Sequence, residues 1–152
     1  MIHRILLAAF AALAVGASAQ THDPAAPGAA DSRQHVEFPA PMREHTLANM
    51  RDHLMALQEI NLALARNDFE KAAGVAEQRL GMSSLEAHGA AHMAGFMPKP
   101  MQDIGTQMHR AASRFAVAAQ DASASNDLKP ALAALGAVMQ QCVACHAAYR
   151  LH

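Results

Sequence analysis

The most specific chemistry in the chain sits close to its C-terminus, in the run Cys142-Val143-Ala144-Cys145-His146, which holds both of its cysteines. C-x-x-C-H is the spacing of c-type haem attachment, in which each thiol adds across one porphyrin vinyl group and leaves a thioether. The two sulfurs must then stand on one side of the chain, which positions i and i+3 of a helix provide. A histidine beside the second cysteine projects from the adjoining turn, where its imidazole can take an axial position on iron. Other chemistries also use paired cysteines. A structural disulfide suits an exported protein, but this short offset on a helix strains its geometry. A thiol-exchange pair wants a strand–helix context and a helix N-terminus. A zinc site wants a fourth ligand at regular spacing, and none is obvious. The motif predicts one covalent haem c, held through Cys142 and Cys145, with His146 as proximal ligand.

The elements that must position these residues are helices. Ala fills 37 of the 152 positions, while Val and Ile together fill 10, and there is one Tyr and no Trp. Ala is the best helix former, whereas β-branched and aromatic residues carry strands, so an all-α fold is expected. With 52% hydrophobic and 16% charged residues the chain can bury a core. A formal net charge of −1 leaves no electrostatic footprint for nucleic acid. No Ser-His-Asp set, paired-carboxylate site or phosphate-cradling Gly loop is present, so the chain is not expected to be an enzyme.

Residues 1–19 read as a cleavable export signal. His3 and Arg4 precede an apolar run from Ile5 to Val15, and Ala17-x-Ala19 fits signal-peptidase cleavage before Gln20. That run is too short to span a bilayer, and no later stretch is expected to span one, which places the protein in the periplasm. Residues 20–41, with Pro24, Pro27, Pro39 and Pro41, read as a flexible lead-in to a domain over 42–152. Helix 1 is expected from about Met42 to Arg66, with Leu47, Met50, Leu54, Leu57, Asn61 and Leu64 as its inward stripe. Asp68 caps helix 2, which starts at Phe69 and has no clear end before the Gly- and Pro-containing stretch 81–100. Ser83-Ser84-Leu85 offers a cap for a helix continuing through 85–93. Helix 3 is expected from about Pro100 to Ala122, and helix 4 from an Asp127 cap to about Arg150. Four amphipathic helices with short connections predict an antiparallel four-helix bundle with the haem near the C-terminus of helix 4.

An export signal, four such helices and C-x-x-C-H on the last of them resemble the cytochrome c-prime family, with its low-spin relatives of the cytochrome c-556 type. The resemblance covers about residues 42–152 and is strongest at Cys142, Cys145 and His146. It implies a single-electron carrier that meets redox partner proteins, and relatives often pair as homodimers through helices 1 and 2. In that family the start of helix 1 covers the distal face of the haem. An Arg there approaches the propionates. Four residues later comes a Leu or Phe in five-coordinate members, or a Met ligand in low-spin members. Arg43-x-x-x-Leu47 looks like that pair, and implies an open sixth position able to bind or buffer nitric oxide or carbon monoxide. Met50, one turn on, offers a thioether sixth ligand instead, which would raise the reduction potential and favour electron transfer. Met42, His45 and His53 crowd the same helix.

Ten histidines and ten methionines are an excess that the motif does not absorb. His88 and His92 stand i, i+4, one face of a helix, with His109 and Met82, Met93, Met97, Met101 and Met108 nearby in sequence. Imidazole and thioether together suit copper, which makes a second metal site in this connection an expectation to test. The plainer alternative is solvated histidines and methionines filling gaps between Ala-rich helices.

Overall fold

A computed structural model describes residues 30–151; the expected export signal over 1–19 and the expected lead-in as far as residue 29 lie outside the described residues. The described chain from Ser32 onward forms one compact unit, and it is all-α apart from two three-residue strands. Helix α1 spans Ala40–Ala65, α2 Phe69–Arg79, α3 Ala90–Ala94, α4 Lys99–Ser125 and α5 Lys129–Ala148. A single 3-10 turn, Met82–Ser84, follows α2.

Local chemistry sets most of these boundaries. Pro41 and Pro100 occupy first turns, where the missing N–H removes no helix bond. The turn after α1 places Asn67 at φ 57°, a left-handed position that Asn tolerates. Asp68 then accepts from the Lys71 amide at 3.2 Å and starts α2. Asn126, at φ 55°, ends α4 in the same way. Asp127 Oδ1 takes the Lys129 amide at 3.0 Å as α5 begins.

Packing centres on α4, which carries α2 on one side and α5 on the other, while α1 lies against α2. Phe115 of α4 and Ile60 of α1 are the largest fully enclosed side chains. Around them runs a lining of alanines, among them Ala56, Ala72, Ala76, Ala112, Ala119 and Ala131, each fully buried. Small side chains let helix axes approach closely, so few large residues suffice to fill the interior. The core occupies one stretch of each helix. On α1 its continuous part begins at Ala56, and on α5 it ends at Val138.

The structure corrects several sequence expectations. The buried face of α1 is Thr46, His53, Ala56, Ile60, Ala63 and Leu64, about one residue out of phase with the expected stripe; Leu54 is 68% exposed. Alanines carry much of the true seam, so a stripe read from large side chains points beside it. Residues 34–36 are not a loose lead-in. They form strand β1 (Gln34–Val36), paired in parallel with β2 (Tyr149–Leu151) in the register Gln34 with Tyr149 and Val36 with Leu151. The fourth long helix accordingly ends at Ala148, and Tyr149 and Arg150 lie on β2 rather than on the helix. No helix runs through 85–93. Gly89 takes φ 63° and breaks the stretch, leaving only the short α3. Finally, α5 is long and apolar enough to cross a membrane by length and composition, because Ala, Val, Leu and Cys dominate it. Core helices of water-soluble proteins pass the same test, and Ala131, Leu135 and Val138 of α5 are buried in the core.

Candidate functional site

The cysteine motif occupies the last two turns of α5. Cys142 and Cys145 are both free thiols and both half-buried. Being three residues apart on one helix, they share a face. Cys142 Sγ approaches the Val138 carbonyl at 3.6 Å, and its side chain borders the core. Burial pushes both thiols above the ordinary range, and at Cys145 the neighbouring Cys142 adds to the effect. His146 is exposed on the same helix, and its carbonyl accepts from Arg33 Nη1 at 3.4 Å. The N-terminal strand thus reaches the motif from the far end of the described chain.

Beyond Val138, α5 buries no residue. Met139 is 47% exposed and Val143 67% exposed. An apolar helix with an unfilled final half has surface available for a large apolar group. The start of α1 has a comparable character. Arg43, Leu47, Met50 and Leu57 are all half-buried, forming a stripe beside the true core seam. Leu57 on that stripe and Cys142 on α5 border the same core. Arg43 holds Glu44 at 3.5 Å, and His45 is exposed. Of the six residues expected at a haem, the structure therefore sets three on the final turns of α5 and three on the half-buried stripe of α1.

The paired histidines at 88 and 92 are not brought together. His92 is exposed on α3, whereas His88 sits in the preceding turn and faces inward. Among the described residues no group of three His, Cys, Asp or Glu side chains is arranged to hold a metal ion. His88 and His92 thus gain no third imidazole, thiolate or carboxylate among the described residues that would complete such a group.

His88 instead joins a row of imidazoles. Its ring centroid lies 4.9 Å from that of His53 on α1 and 5.4 Å from that of His109 on α4. His109 Nδ1 lies 2.8 Å from the Leu80 carbonyl, so that nitrogen carries the proton and donates. Ser84 Oγ stands 3.3 Å from the same atom and 3.4 Å from His88 Nδ1, and donates to the Gly81 carbonyl at 2.7 Å. His53 is 9% exposed, and its Nε2 is buried with no hydrogen-bond partner. Burial depresses the basicity of all three imidazoles, and their mutual repulsion adds to it at His53 and His88; His53 falls to about 4.

Next to the row, Arg79 of α2 ties α1 down. Its Nε and Nη2 meet the two Asp52 carboxylate oxygens at 3.0 and 2.5 Å, and Nη1 meets Glu59 at 2.9 Å. The Arg79 hydrogen bond holds the Asp52 carboxyl below its usual value, against the opposing effect of burial. Sequence reasoning missed both arrangements. His53, His88 and His109 stand too far apart in the chain for any local spacing to join them, and Arg79 is one cation among many.

Comparisons with protein-family models, with curated proteins and with solved structures returned no match.

Proposed function

We propose that the chain is an exported monohaem c-type cytochrome, a single-electron carrier built on an antiparallel four-helix bundle of α1, α2, α4 and α5. Cys142 and Cys145 would hold the haem as thioethers, and His146 would be its proximal ligand. When bound, the haem supplies a one-electron iron couple. The observation that carries this reading is the C-x-x-C-H motif on the unfilled half of an apolar helix. Two half-buried thiols share one face there, neither is in a disulfide, and the adjoining imidazole is exposed. That donor set fits a covalently held porphyrin. A thiol-exchange pair fits less well, because the motif closes a helix rather than opening one and both thiols are raised rather than lowered.

The rest of the protein has three tasks in this reading. The helix face around Met139 and Val143 provides apolar contact and excludes water. The α1 stripe would cover the other side of the group, and Arg43, paired with Glu44 in this structure, would supply a cation for its carboxylates. Met50 would offer a thioether to the iron, which would favour electron transfer over gas binding. Leu47 and Met50 are half-buried on the same stripe, and a Leu cap in place of Met50 gives the alternative, an open iron that binds or buffers nitric oxide or carbon monoxide.

The test is expression with export and a haem-attachment system, followed by denaturing extraction and mass measurement. A gain of one haem, abolished in the double variant Cys142→Ala/Cys145→Ala, is the expected result. An unmodified polypeptide mass ends the proposal. Visible spectra then separate the two sixth-ligand readings. The weak far-red band of Met–iron ligation, with ferrous spectra indifferent to carbon monoxide, supports the carrier. High-spin spectra that change on carbon monoxide support the gas reading.

A further inference from the structure

Three of the ten histidines are packed into one joint, and the haem reading uses none of them. The joint unites three separate parts of the chain. His53 comes from α1, His88 from the turn before α3, and His109 from α4. Other contacts also hold the connection between α2 and α4: the Met82 amide donates to Ser113 Oγ of α4 at 3.0 Å, and Gln102 Nε2 of α4 donates to the Ala94 and Met97 carbonyls, each at 2.9 Å. Asn49 Nδ2 donates to the His88 carbonyl at 3.3 Å, Thr46 Oγ1 meets Met93 Sδ at 3.9 Å, and Ser84 bonds within the turn. We propose that His53, His88 and His109 form an acid-operated latch, which holds the 81–98 connection against α1 and α4 while the imidazoles are neutral and releases it when they take up protons.

The surroundings dictate that behaviour. A proton added to any of the three creates an imidazolium in contact with at least one other imidazole of the row. The charged groups that face the row come from each element packed on it. From α1 come Asp52, already engaged by Arg79, and the exposed His45, whose ring lies beside Gly89. From α2 comes the Arg79 cation itself, with Glu59 of α1 bound to its other arm. In the turn, Glu77 of α2 accepts from the amide and hydroxyl of Ser83, the former at 3.1 Å. Asp52, already paired with Arg79, offsets an imidazolium at His53 only in part, and burial and the neighbouring imidazoles outweigh it. Charging the row therefore brings mutual repulsion and an incompletely compensated charge at a nearly enclosed site, and both favour opening. Gly89, in its left-handed conformation, gives the connection a point about which to swing. The latch does not depend on the haem reading.

Hydrogen exchange on the full exported protein, with whatever prosthetic group it carries, tests the latch at pH 7 and at pH 5. Amides of 81–98 should exchange at least about tenfold faster at the lower pH after correction for intrinsic rates, while those of α4 and α5 keep their protection. His53→Leu removes the group least able to carry charge, and His88→Gln offers a second route should the first fold poorly. Either variant should flatten the pH dependence in 81–98. Equal acceleration in the variants and the parent overturns the proposal, as does protection lost evenly along the whole chain. Stoichiometric zinc or copper(II) binding at pH 7 that is lost in both variants would make the row a metal site and overturn it as well.

Discussion

Arg79 shows how much one side chain settles in this protein. Three of its nitrogens are satisfied by Asp52 and Glu59 of α1, and it also donates to the Asp52 carbonyl at 3.1 Å. The paired fork to Asp52 is the strong form of ion pair, although both carboxylates are partly exposed. Arg79→Met should cost about 1–2 kcal/mol of unfolding free energy, discounted for that exposure, with most of the loss recovered neither by Lys nor by added salt. Urea titration of the two variants checks this. At the cysteine motif the expectation is qualitative. On the proposed haem reading, Cys142→Ala or Cys145→Ala alone should leave one thioether and a haem that still migrates with the denatured chain, whereas His146→Gly should keep both links and change the absorption spectrum. Identical spectra for His146→Gly and the parent would remove His146 as the axial ligand.

At the scale of elements, the glycine that ends α2 has little tolerance. A Cβ on Gly81 would come within 2.8 Å of the Glu77 carbonyl and closer still to its carboxylate, which serves Ser83. Gly81→Ala should destabilise by about 1–3 kcal/mol through displacement of backbone, and thermal melting measures it. Helix starts were largely legible in the sequence, because Pro41, Asp68, Pro100 and Asp127 act on their own neighbours. The place of the cysteine motif on the last helix was legible too, as its five residues are consecutive. The phase of α1 was not. Ala56 and Ala63 mark its buried seam, and an alanine looks alike on any face. The β1–β2 pair and the histidine row were also hidden, since each forms between segments whose local sequence says nothing of the partner.

For the molecule as a whole, the buried imidazoles set an acid limit. His53 is held neutral down to about 4 in the folded protein, against 6.5 when free. The unfolded chain therefore binds the proton first. Stability is full above the free value, falls as pH drops from 6.5, and the loss is complete near 4. A row that stayed closed would lose about 3 kcal/mol to His53 alone, while local opening caps the loss at the cost of opening. Urea unfolding at pH 7 and pH 4.5 should show the decline, and His53→Leu should reduce it. The parallel pairing of Gln34–Val36 with Tyr149–Leu151 bears on a different matter, the order of assembly. Closing so long a loop for three residues of ladder is entropically the most demanding step in the described unit, so it belongs late in folding. During synthesis from the N-terminus β1 waits for a partner that is made only after all five helices, shortly after His146. Until that stitch closes, the last turns of α5, which bear both cysteines, lack their clamp to the N-terminal strand.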